Sequence, residues 1–559
     1  MHLPTFRDWT VLLLALPFAA RVTEAQIVDV IIVGSGPGGL VAAEYLSRDP
    51  NVSVIILEAG PPSLAATGGT DPPGYDQAFT GTTKFDVPGE FQSMIYNPAD
   101  AKYVVDWISD ANLWLGKLVG GCSSTNAAIY TWPPDSYVTK SEWPYSAAQM
   151  VAKMQEIATI HGHTDVPSAD GRRYLQEGYA IVAKALRADG YNEASLNDEA
   201  GRNNNKVFGH IPLTIHKGRR DSAANAFWGK MKARPNVKLV TGAKVEFIFQ
   251  NNGLATGVSY NDDIDVFLNK GGTVLMAAGA LGTSKVLMQS GIGPENQINL
   301  LKQRDAAEGV FRPAKWIFNN NVGRNVFDTN VAYASFAHPD MKSFNYHNRP
   351  VWATSLYQQD LSGPWAATGP LLIAREQYDV QGRTYEFQAT LLPSGFLEFE
   401  NRTDAFTLSL YINNPESRAA SGFDNSSTVE WKAFNEGNVY LGTDRDLAAM
   451  QSYAQRIVAL MTAQGATFLS AASDPASVAE WVVKTRGYYV HHFGGGCYVS
   501  SNAADPNRCA DEKMRVIGTQ NIFIADASAM RDGTVNPNAF VMYIGREAAD
   551  QAKSYRAAA

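Results

Sequence analysis

Residues 28–60 read VDVIIVGSGPGGLVAAEYLSRDPNVSVIILEAG, and this stretch decides the fold of the first part of the chain. An apolar run leads into a glycine turn that contains Gly34, Gly36 and Gly39, and a helix of small residues follows. A second apolar run then ends in Glu58. Strand, glycine turn, helix, strand and acid stand in the order that a dinucleotide-binding site requires.

Each residue of this turn has a separate task in such a site. Gly34 permits the tight turn, Gly36 lets the backbone approach a pyrophosphate, and Gly39 lets the helix pack closely on the first strand. Unpaired N–H groups at the helix N-terminus bind the pyrophosphate, and Glu58 binds ribose hydroxyls. The stretch therefore predicts that the chain binds a cofactor that contains ADP.

Residues 1–25 are typical of a secretory signal peptide. A short charged region precedes an apolar stretch, and Thr23-Glu-Ala25 supplies small residues before a cleavage site at Gln26. The apolar stretch is too short to span a bilayer, which takes about 20 residues. We therefore expect an extracellular, secreted protein, with an N-terminal anchor or a cytosolic start as the alternative. The sequons that begin at Asn51, Asn401 and Asn425 fit a glycosylated protein.

Charge and cysteine content narrow the class of protein further. The 559-residue chain carries a net charge of −8 with its basic residues scattered, so we expect no nucleic-acid partner and no membrane partner. Cys497 and Cys509 flank Asp505-Pro-Asn507, a plausible hairpin turn, and predict one disulfide. Cys122 is then expected to be a small buried residue in a glycine turn, with a reactive thiol as the alternative.

The later sequence repeats the strand-and-helix pattern and then departs from it. Val274–Gly279 and Ile522–Asp526 are short buried strands, each followed by a segment of helical character. With residues 28–60 they predict one discontinuous Rossmann-like α/β domain. Between about residues 310 and 480, alternating runs such as Thr407–Tyr411 predict an antiparallel sheet in a second, α+β domain.

Three segments together carry a family resemblance. GSGPGG with Glu58, the small-residue stretch Gly116–Tyr130, and Gly279–Gly293 resemble the three signatures of the glucose–methanol–choline (GMC) flavin oxidoreductases. The second segment departs from the family pattern at Cys122 and Thr125. The resemblance implies the GMC fold, with an FAD-binding domain over residues 26–310 that carries substrate-domain insertions. It places a substrate-binding domain over 311–484 and the catalytic part of the FAD-binding domain over 485–559.

Within this family the chain is most similar to the flavodehydrogenase portion of fungal cellobiose dehydrogenases. The similarity lies in four scaffold segments: Thr67–Thr70, Thr83–Gly89, Asp170–Leu175 and Val207–Gly209. It implies oxidation of a carbohydrate hydroxyl, most simply the anomeric C1 of an aldose or a cello-oligosaccharide. A monosaccharide or a non-sugar alcohol remains open.

The resemblance also assigns the cofactor contacts. It implies FAD held by Gly34, Gly36, Gly39, Glu58, Gly116, Gly121, Asn126, Val245, Asp526 and Ala527. Thr125 stands near the position at which some relatives bear a histidine bonded to the flavin, and threonine cannot make that bond, so we expect the FAD to be non-covalent. No metal site is expected from the two His pairs, at 161 and 163 and at 491 and 492, because neither has the accompanying carboxylate or thiolate spacing.

The motif that begins at His492 and ends at Cys497 is similar to the family's catalytic histidine motif, and Asn536 matches the second catalytic position. A neutral imidazole accepts the hydroxyl proton without a metal as hydride leaves for flavin N5, while Asn536 holds the same oxygen. The resemblance further implies substrate contacts for His491 and Arg418.

Three functional classes follow from these residues. The first is an oxidoreductase, a dehydrogenase in preference to an oxidase, that passes electrons to a quinone, O2 or a redox protein. The second is a hydroxynitrile lyase, which uses the same fold with the flavin as a structural element. The third is a secreted binding protein with a relict FAD. The intact pair His492 and Asn536 favours an enzyme, and the scaffold similarity favours the oxidoreductase.

Overall fold

The computed structural model describes residues 26–559, except 76–80, 95–97, 109, 112, 262–263, 309–315 and 425–429. The predicted signal peptide and the sequon at Asn425 therefore lie outside the described residues. The other two sequon asparagines, Asn51 and Asn401, are exposed. Among the residues described, no helix is both long and apolar enough to cross a membrane.

The strands are numbered in chain order. They are β1 (Gln26–Val33), β2 (Val54–Glu58), β3 (Asn192–Glu193), β4 (Val207–His210), β5 (Ile215–His216), β6 (Arg219–Arg220), β7 (Val237–Thr241), β8 (Val245–Asn251), β9 (Leu254–Tyr260), β10 (Ile264–Met276), β11 (Ile292–Gly293), β12 (Ile317–Phe318), β13 (Asn330–Ala337), β14 (Leu372–Val380), β15 (Arg383–Leu392), β16 (Ala405–Ile412), β17 (Ala419–Phe423), β18 (Trp431–Gly437), β19 (Thr467–Phe468) and β20 (Ile522–Ile524).

The α-helices are numbered in the same way. They are α1 (Pro37–Leu46), α2 (Tyr137–Lys140), α3 (Ala147–Ala158), α4 (Gln176–Ala188), α5 (Gly229–Met231), α6 (Gly279–Gln289), α7 (Glu295–Glu308), α8 (Val351–Asp360), α9 (Asp444–Thr462), α10 (Pro475–Thr485) and α11 (Asn538–Ala558). The sequence pattern predicts helices that begin at Leu40 and Gly282, and α1 and α6 each begin three residues earlier.

The first sheet is the predicted Rossmann-like sheet. Strands β7, β2, β1, β10 and β20 are parallel neighbours, and β8 and β9 form an antiparallel ribbon beside the first half of β10. Parallel strands present their carboxyl ends at one edge, so the chain leaves β1, β10 and β20 close together. This edge carries the glycine turn after β1, the start of α6 and Asp526.

The second sheet has the strand order β19-β13-β16-β15-β14-β4-β3, and all its pairs are antiparallel except β3 with β4. Strands β3 and β4 precede residue 311, so the second domain is discontinuous, as predicted. Its side chains alternate: Ala332, Phe387 and Leu410 join the core with helices α4, α9 and α10. Tyr333 and Tyr411, on the opposite face, point to the cavity between the sheets.

Helices α1 and α11 pack on each other through backbone contacts that only glycine permits. A Cβ on Gly38 would lie 2.0 Å from the Ala525 carbonyl oxygen, and one on Gly545 would lie 2.1 Å from the Gly38 carbonyl oxygen. A Cβ on Gly39 would lie 2.3 Å from the Gly34 carbonyl oxygen, which agrees with the close helix packing predicted for Gly39. The sequence analysis assigned no such role to Gly38.

The predicted disulfide between Cys497 and Cys509 is present, with 4.7 Å between the two Cα atoms. It joins the segment after His492 to the strand-like segment that leads toward β20.

Gly38→Ala should destabilise the fold by about 3 kcal/mol, because its Cβ meets a backbone oxygen that has no room to move. Gly229→Ala is the matched control: Gly229 is helical, and nothing lies within 4 Å of an added Cβ. We expect the control to be neutral or more stable by up to about 1 kcal/mol. Chemical denaturation of both variants measures the difference, and equal stabilities would contradict the packing described for α1.

Candidate functional site

A single cavity of about 970 Å³ runs from the glycine turn after β1 to the inner face of the second sheet. Every predicted cofactor-binding residue lines it except Gly39, which packs behind the turn. His491, His492 and Asn536 line the same cavity. The fold thus brings the predicted cofactor site and the predicted catalytic pair together.

The glycine turn fits a pyrophosphate. Gly34 has φ +100°, and a Cβ on Gly36 would meet only the Ala277 carbonyl oxygen, at 3.7 Å, so Gly36 leaves open space on the cavity side. No side chain caps the first turn of α1, which leaves its N-terminus to an anion. Gly121, with φ +51°, approaches so closely that its Cβ would lie 3.0 Å from the Gly36 Cα.

Glu58 lies buried beside this turn. Its Oε2 accepts hydrogen bonds from the Ser35 N–H at 2.9 Å and the Ser35 hydroxyl at 2.7 Å, and its Oε1 accepts from the Gly60 N–H at 2.8 Å. Burial raises the pKa of the Glu58 carboxyl, and these donors act in the opposite direction. A carboxylate can accept about four hydrogen bonds, so capacity remains for a ribose hydroxyl.

Basic side chains gather at the same end of the cavity. The ammonium groups of Lys117 and Lys244 lie 6.0 and 5.5 Å from the ring centre of Trp107. Lys285 lines the cavity nearby; burial, and then the charge of Lys244, lower its pKa to about 7. Together with Val245, these residues can hold an adenine ring and a pyrophosphate. Lys117 and Lys285 lie within the segments Gly116–Tyr130 and Gly279–Gly293 but were not singled out there, and Trp107 lies in no motif.

The segment after Gly121 presents an amide to the middle of the cavity. Asn126 accepts hydrogen bonds at Oδ1 from the Ala128 N–H, at 2.9 Å, and from Arg220 Nη1, at 3.1 Å. The Asn126 Nδ2 is therefore left as a donor toward the cofactor. Burial lowers the pKa of Arg220 to about 10.

Asp526 organises the cavity wall. Its Oδ1 accepts from the Ser528 N–H and hydroxyl, and its Oδ2 accepts from the Gly279 N–H and the Thr283 hydroxyl. Burial raises the pKa of this carboxyl, which the same donors lower. These bonds use the acceptor capacity of the carboxylate. Asp526 therefore fixes the start of α6, and the adjacent Ala527 supplies the cavity surface.

His492 is held by the two residues that precede β13. Asp328 is buried and accepts the N–H groups of Val490, His491 and His492 at 3.0, 3.1 and 2.8 Å. Burial raises the pKa of the Asp328 carboxyl to about 7, and the backbone donors oppose this shift. His492 Nδ1 lies 3.0 Å from the Thr329 hydroxyl oxygen. When Nδ1 carries the proton and donates to Thr329, Nε2 is free to accept another.

The surroundings keep His492 neutral. Burial, and then the neighbouring His491, lower the pKa of His492 to about 3. The imidazole is therefore an unprotonated base over the whole physiological range. The base role of His492 stays a prediction, and a neutral imidazole is the form that this role requires.

His491 has an unusual backbone. Its φ is +66°, in the left-handed region, and its Nε2 accepts the Trp114 N–H at 3.2 Å. Burial lowers the pKa of His491 to about 4. The ring of His491 lines the cavity. Contact with the substrate stays a prediction, and Nδ1 is the nitrogen available for that contact.

Arg418 is not brought to the cavity. Its guanidinium pairs with Asp532 at 3.1 Å, and donates to Asn325 Oδ1 at 3.0 Å and to the Pro415 carbonyl at 2.7 Å. It is absent from the cavity lining. The substrate contact expected for Arg418 is thus corrected to a structural role, because its donors are used within the protein.

The second-sheet end of the cavity has an aromatic wall that the sequence analysis missed. The rings of Tyr333 and Phe396 stack with centres 4.1 Å apart, and Tyr488 meets them edge-on at 5.5 and 5.8 Å. All three line the cavity. They come from β13, a loop and the segment before His491, so no spacing in the sequence reveals that they meet.

Comparison with known proteins identifies the family. Models described as GMC oxidoreductase match residues 29–331 and 436–545. The chain therefore belongs to the GMC oxidoreductase family, and its cofactor is FAD. This confirms the family, the fold and the cofactor expected from the sequence.

Individual relatives are distant and cover almost the whole chain. The chain is 25% identical to choline oxidase of Arthrobacter globiformis over 570 residues, 95% of each protein. A variant of formate oxidase from Aspergillus oryzae RIB40 has TM-score 0.72 and 17% identity, covering 95% of this chain and 99% of that one. A fungal aryl-alcohol oxidase has TM-score 0.68 and 15% identity, with the same coverage. Similarity to cellobiose dehydrogenases stays a prediction.

Cys122 provides a probe of the cofactor site. Its side chain faces the cavity, and the protein around it raises the pKa of the thiol. The sequence predicted instead a small residue buried in the glycine turn. Bound FAD should cover it, so native protein without reductant should gain one alkyl group by intact mass only after FAD is removed. Gly36→Val, which blocks the pyrophosphate, should react like the FAD-free protein. Equal alkylation rates with and without FAD would place the cofactor elsewhere.

Proposed function

We propose that this protein oxidises the CH–OH group of an uncharged alcohol, with His492 as the base and Asn536 as a hydrogen-bond donor. One observation supports this above the others. A buried, neutral histidine whose Nδ1 is engaged by Thr329 shares a cavity with Asn536 and with the glycine turn of the FAD site.

The residues of the chain divide the chemistry between them. His492 Nε2 takes the hydroxyl proton, and Asn536 holds the hydroxyl oxygen so that the C–H bond is oriented. FAD, when bound, supplies the hydride acceptor. A positioned base of this kind is worth about 10² to 10⁴ in rate.

The cavity wall favours a flat alcohol with an aromatic or apolar body. Tyr333, Phe396 and Tyr488 offer ring faces and edges on which such a molecule stacks. Three acids line the cavity within the described ranges. Glu58 and Asp526 are bound to protein donors, and Glu400 is the third. A quaternary ammonium substrate would need the one remaining carboxylate, Glu400, besides the ring faces, whereas a neutral aromatic alcohol needs the ring faces alone. An aromatic primary alcohol is the substrate class that we place first.

An aldose or cello-oligosaccharide, oxidised at C1, is the second candidate. Sugar rings also stack on aromatic faces, and Gln92, Asn345 and Ser394 line the cavity with polar groups that can meet hydroxyls. The resemblance of the scaffold segments to cellobiose dehydrogenases supports this class. The position of Arg418, away from the cavity, removes one sugar contact that the sequence predicted.

We propose further that FAD is bound without a covalent link, since Thr125, which lines the cavity, cannot bond to the flavin ring. The proposed enzyme is secreted and passes its electrons to an external acceptor, a quinone or redox protein in preference to O2.

Anaerobic mixing with a panel of aromatic alcohols, aldoses and cello-oligosaccharides should bleach the flavin with at least one compound. With that compound, His492→Ala should slow flavin reduction by about 10² or more, because the proton loses its acceptor. Asn536→Ala should also slow it, and stopped-flow absorbance measures both rates. His347→Ala, which removes a histidine from the same cavity lining, is the control and should reduce at close to the wild-type rate.

A hydroxynitrile lyase would leave the flavin oxidised throughout the panel, and full-speed bleaching in His492→Ala would move the base to another group. Admission of air afterwards separates the two electron acceptors: persistent bleaching indicates a dehydrogenase, and rapid reoxidation an oxidase.

The pH dependence should report the low pKa of His492. The base must be neutral to accept a proton, so activity is lost only as pH falls through the pKa, which lies near 3. We expect kcat/KM to stay level from pH 8 down to about 5, whereas an unperturbed imidazole would lose activity below about 6.5. An acidic limb centred near pH 6.5 would contradict the burial argument.

A further inference from the structure

Gln388 lies directly behind the catalytic amide. It is on β15, is 2% exposed and is absent from the cavity lining. Its Nε2 donates to Asn536 Oδ1 at 3.1 Å and to the Thr390 hydroxyl oxygen at 3.1 Å. Its Oε1 accepts from Asn413 Nδ2 at 3.4 Å.

This chain of amides has a direction. A side-chain amide has an oxygen that only accepts and a nitrogen that only donates, so each contact constrains the next group. The Asn413 donor fixes the oxygen of Gln388, and the Gln388 nitrogen in turn occupies the oxygen of Asn536. Asn536 is thereby left with Nδ2 as the atom that faces the cavity.

We propose that Gln388 is a positioning residue that makes Asn536 a hydrogen-bond donor to the substrate oxygen. The inference rests on the proposed function. Once neutral His492 removes the hydroxyl proton, the oxygen gains negative charge, which an N–H group stabilises and an amide oxygen repels. Gln388 is the described group that hydrogen-bonds the Asn536 side chain, and it supplies the selection between the two orientations.

The orientation itself can be observed without turnover. Neutron diffraction from a deuterated crystal of the FAD-bound protein should show the two deuterium atoms of the Asn536 amide on the cavity side and those of Gln388 directed to Asn536 and Thr390. An Asn536 oxygen facing the cavity would overturn the proposal, whatever the substrate proves to be.

Gln388→Glu tests the consequence with almost no change of shape. Burial raises the pKa of the new carboxyl, so the variant is assayed above that pKa. There the carboxylate can only accept, so Asn536 must turn and donate to it, which places the Asn536 oxygen against the substrate. We expect flavin reduction to slow by about 10², the usual effect of losing one such donor, with little change in KM. The rate should recover as pH falls, because the protonated carboxyl donates again.

Gln377→Glu, the same exchange at a half-buried position on β14, is the matched control and should keep the wild-type rate and pH profile. In an Asn536→Ala background, Gln388→Glu should cause no further loss, because the positioned group is absent. Equal losses in both backgrounds, or no recovery at low pH, would overturn the positioning role. Failure of every alcohol to bleach the wild-type flavin would instead refute the proposed function and leave the neutron result as the test of orientation.

Discussion

The carboxylate of Asp328 holds the turn that carries His492, the proposed base. It binds the backbone N–H groups of residues 490–492 and lies beside Thr329, which contacts His492 Nδ1. The left-handed conformation of His491 costs roughly 1–3 kcal/mol. Each buried N–H group left unpaired would cost about 1–3 kcal/mol, so the three hydrogen bonds outweigh that strain. A buried acid next to the second sheet thus fixes a histidine that belongs to the first domain.

A second buried acid, Asp526, holds two backbone segments together on the cofactor side of the cavity. It ties the start of α6 to the segment after β20, while the contacts of Gly38 with β20 and α11 bring α1 to the same edge. The FAD site is therefore built from backbone positions that tolerate almost no movement. The proposed substrate end is built from side chains of β13, a loop and the segment before His491.

Whether a feature could be predicted from the sequence depends on how many residues of chain separate the groups that interact. The glycine turn, the strand after it and Glu58 are contiguous, so local spacing predicted them. His492 and Asn536 were assigned because each lies in a short motif that resembles the family's, and the fold brings both to one cavity. Asp328, Thr329, Gln388 and the aromatic wall act across 60 to more than 160 residues of chain, and nothing local marks them. Arg418 was misplaced because its local motif does not reveal that Asp532 takes its charge.

One hydroxyl oxygen, held by both His492 and Asn536 in the FAD cavity, is the feature on which the proposed reaction depends. It is tested most directly by a crystal structure of the FAD-bound protein with a tertiary alcohol, which can bind and has no hydrogen on the hydroxyl carbon to give up. The hydroxyl oxygen should lie within about 3.2 Å of both His492 Nε2 and Asn536 Nδ2. An alcohol bound through other groups, with neither atom in contact, would contradict the account.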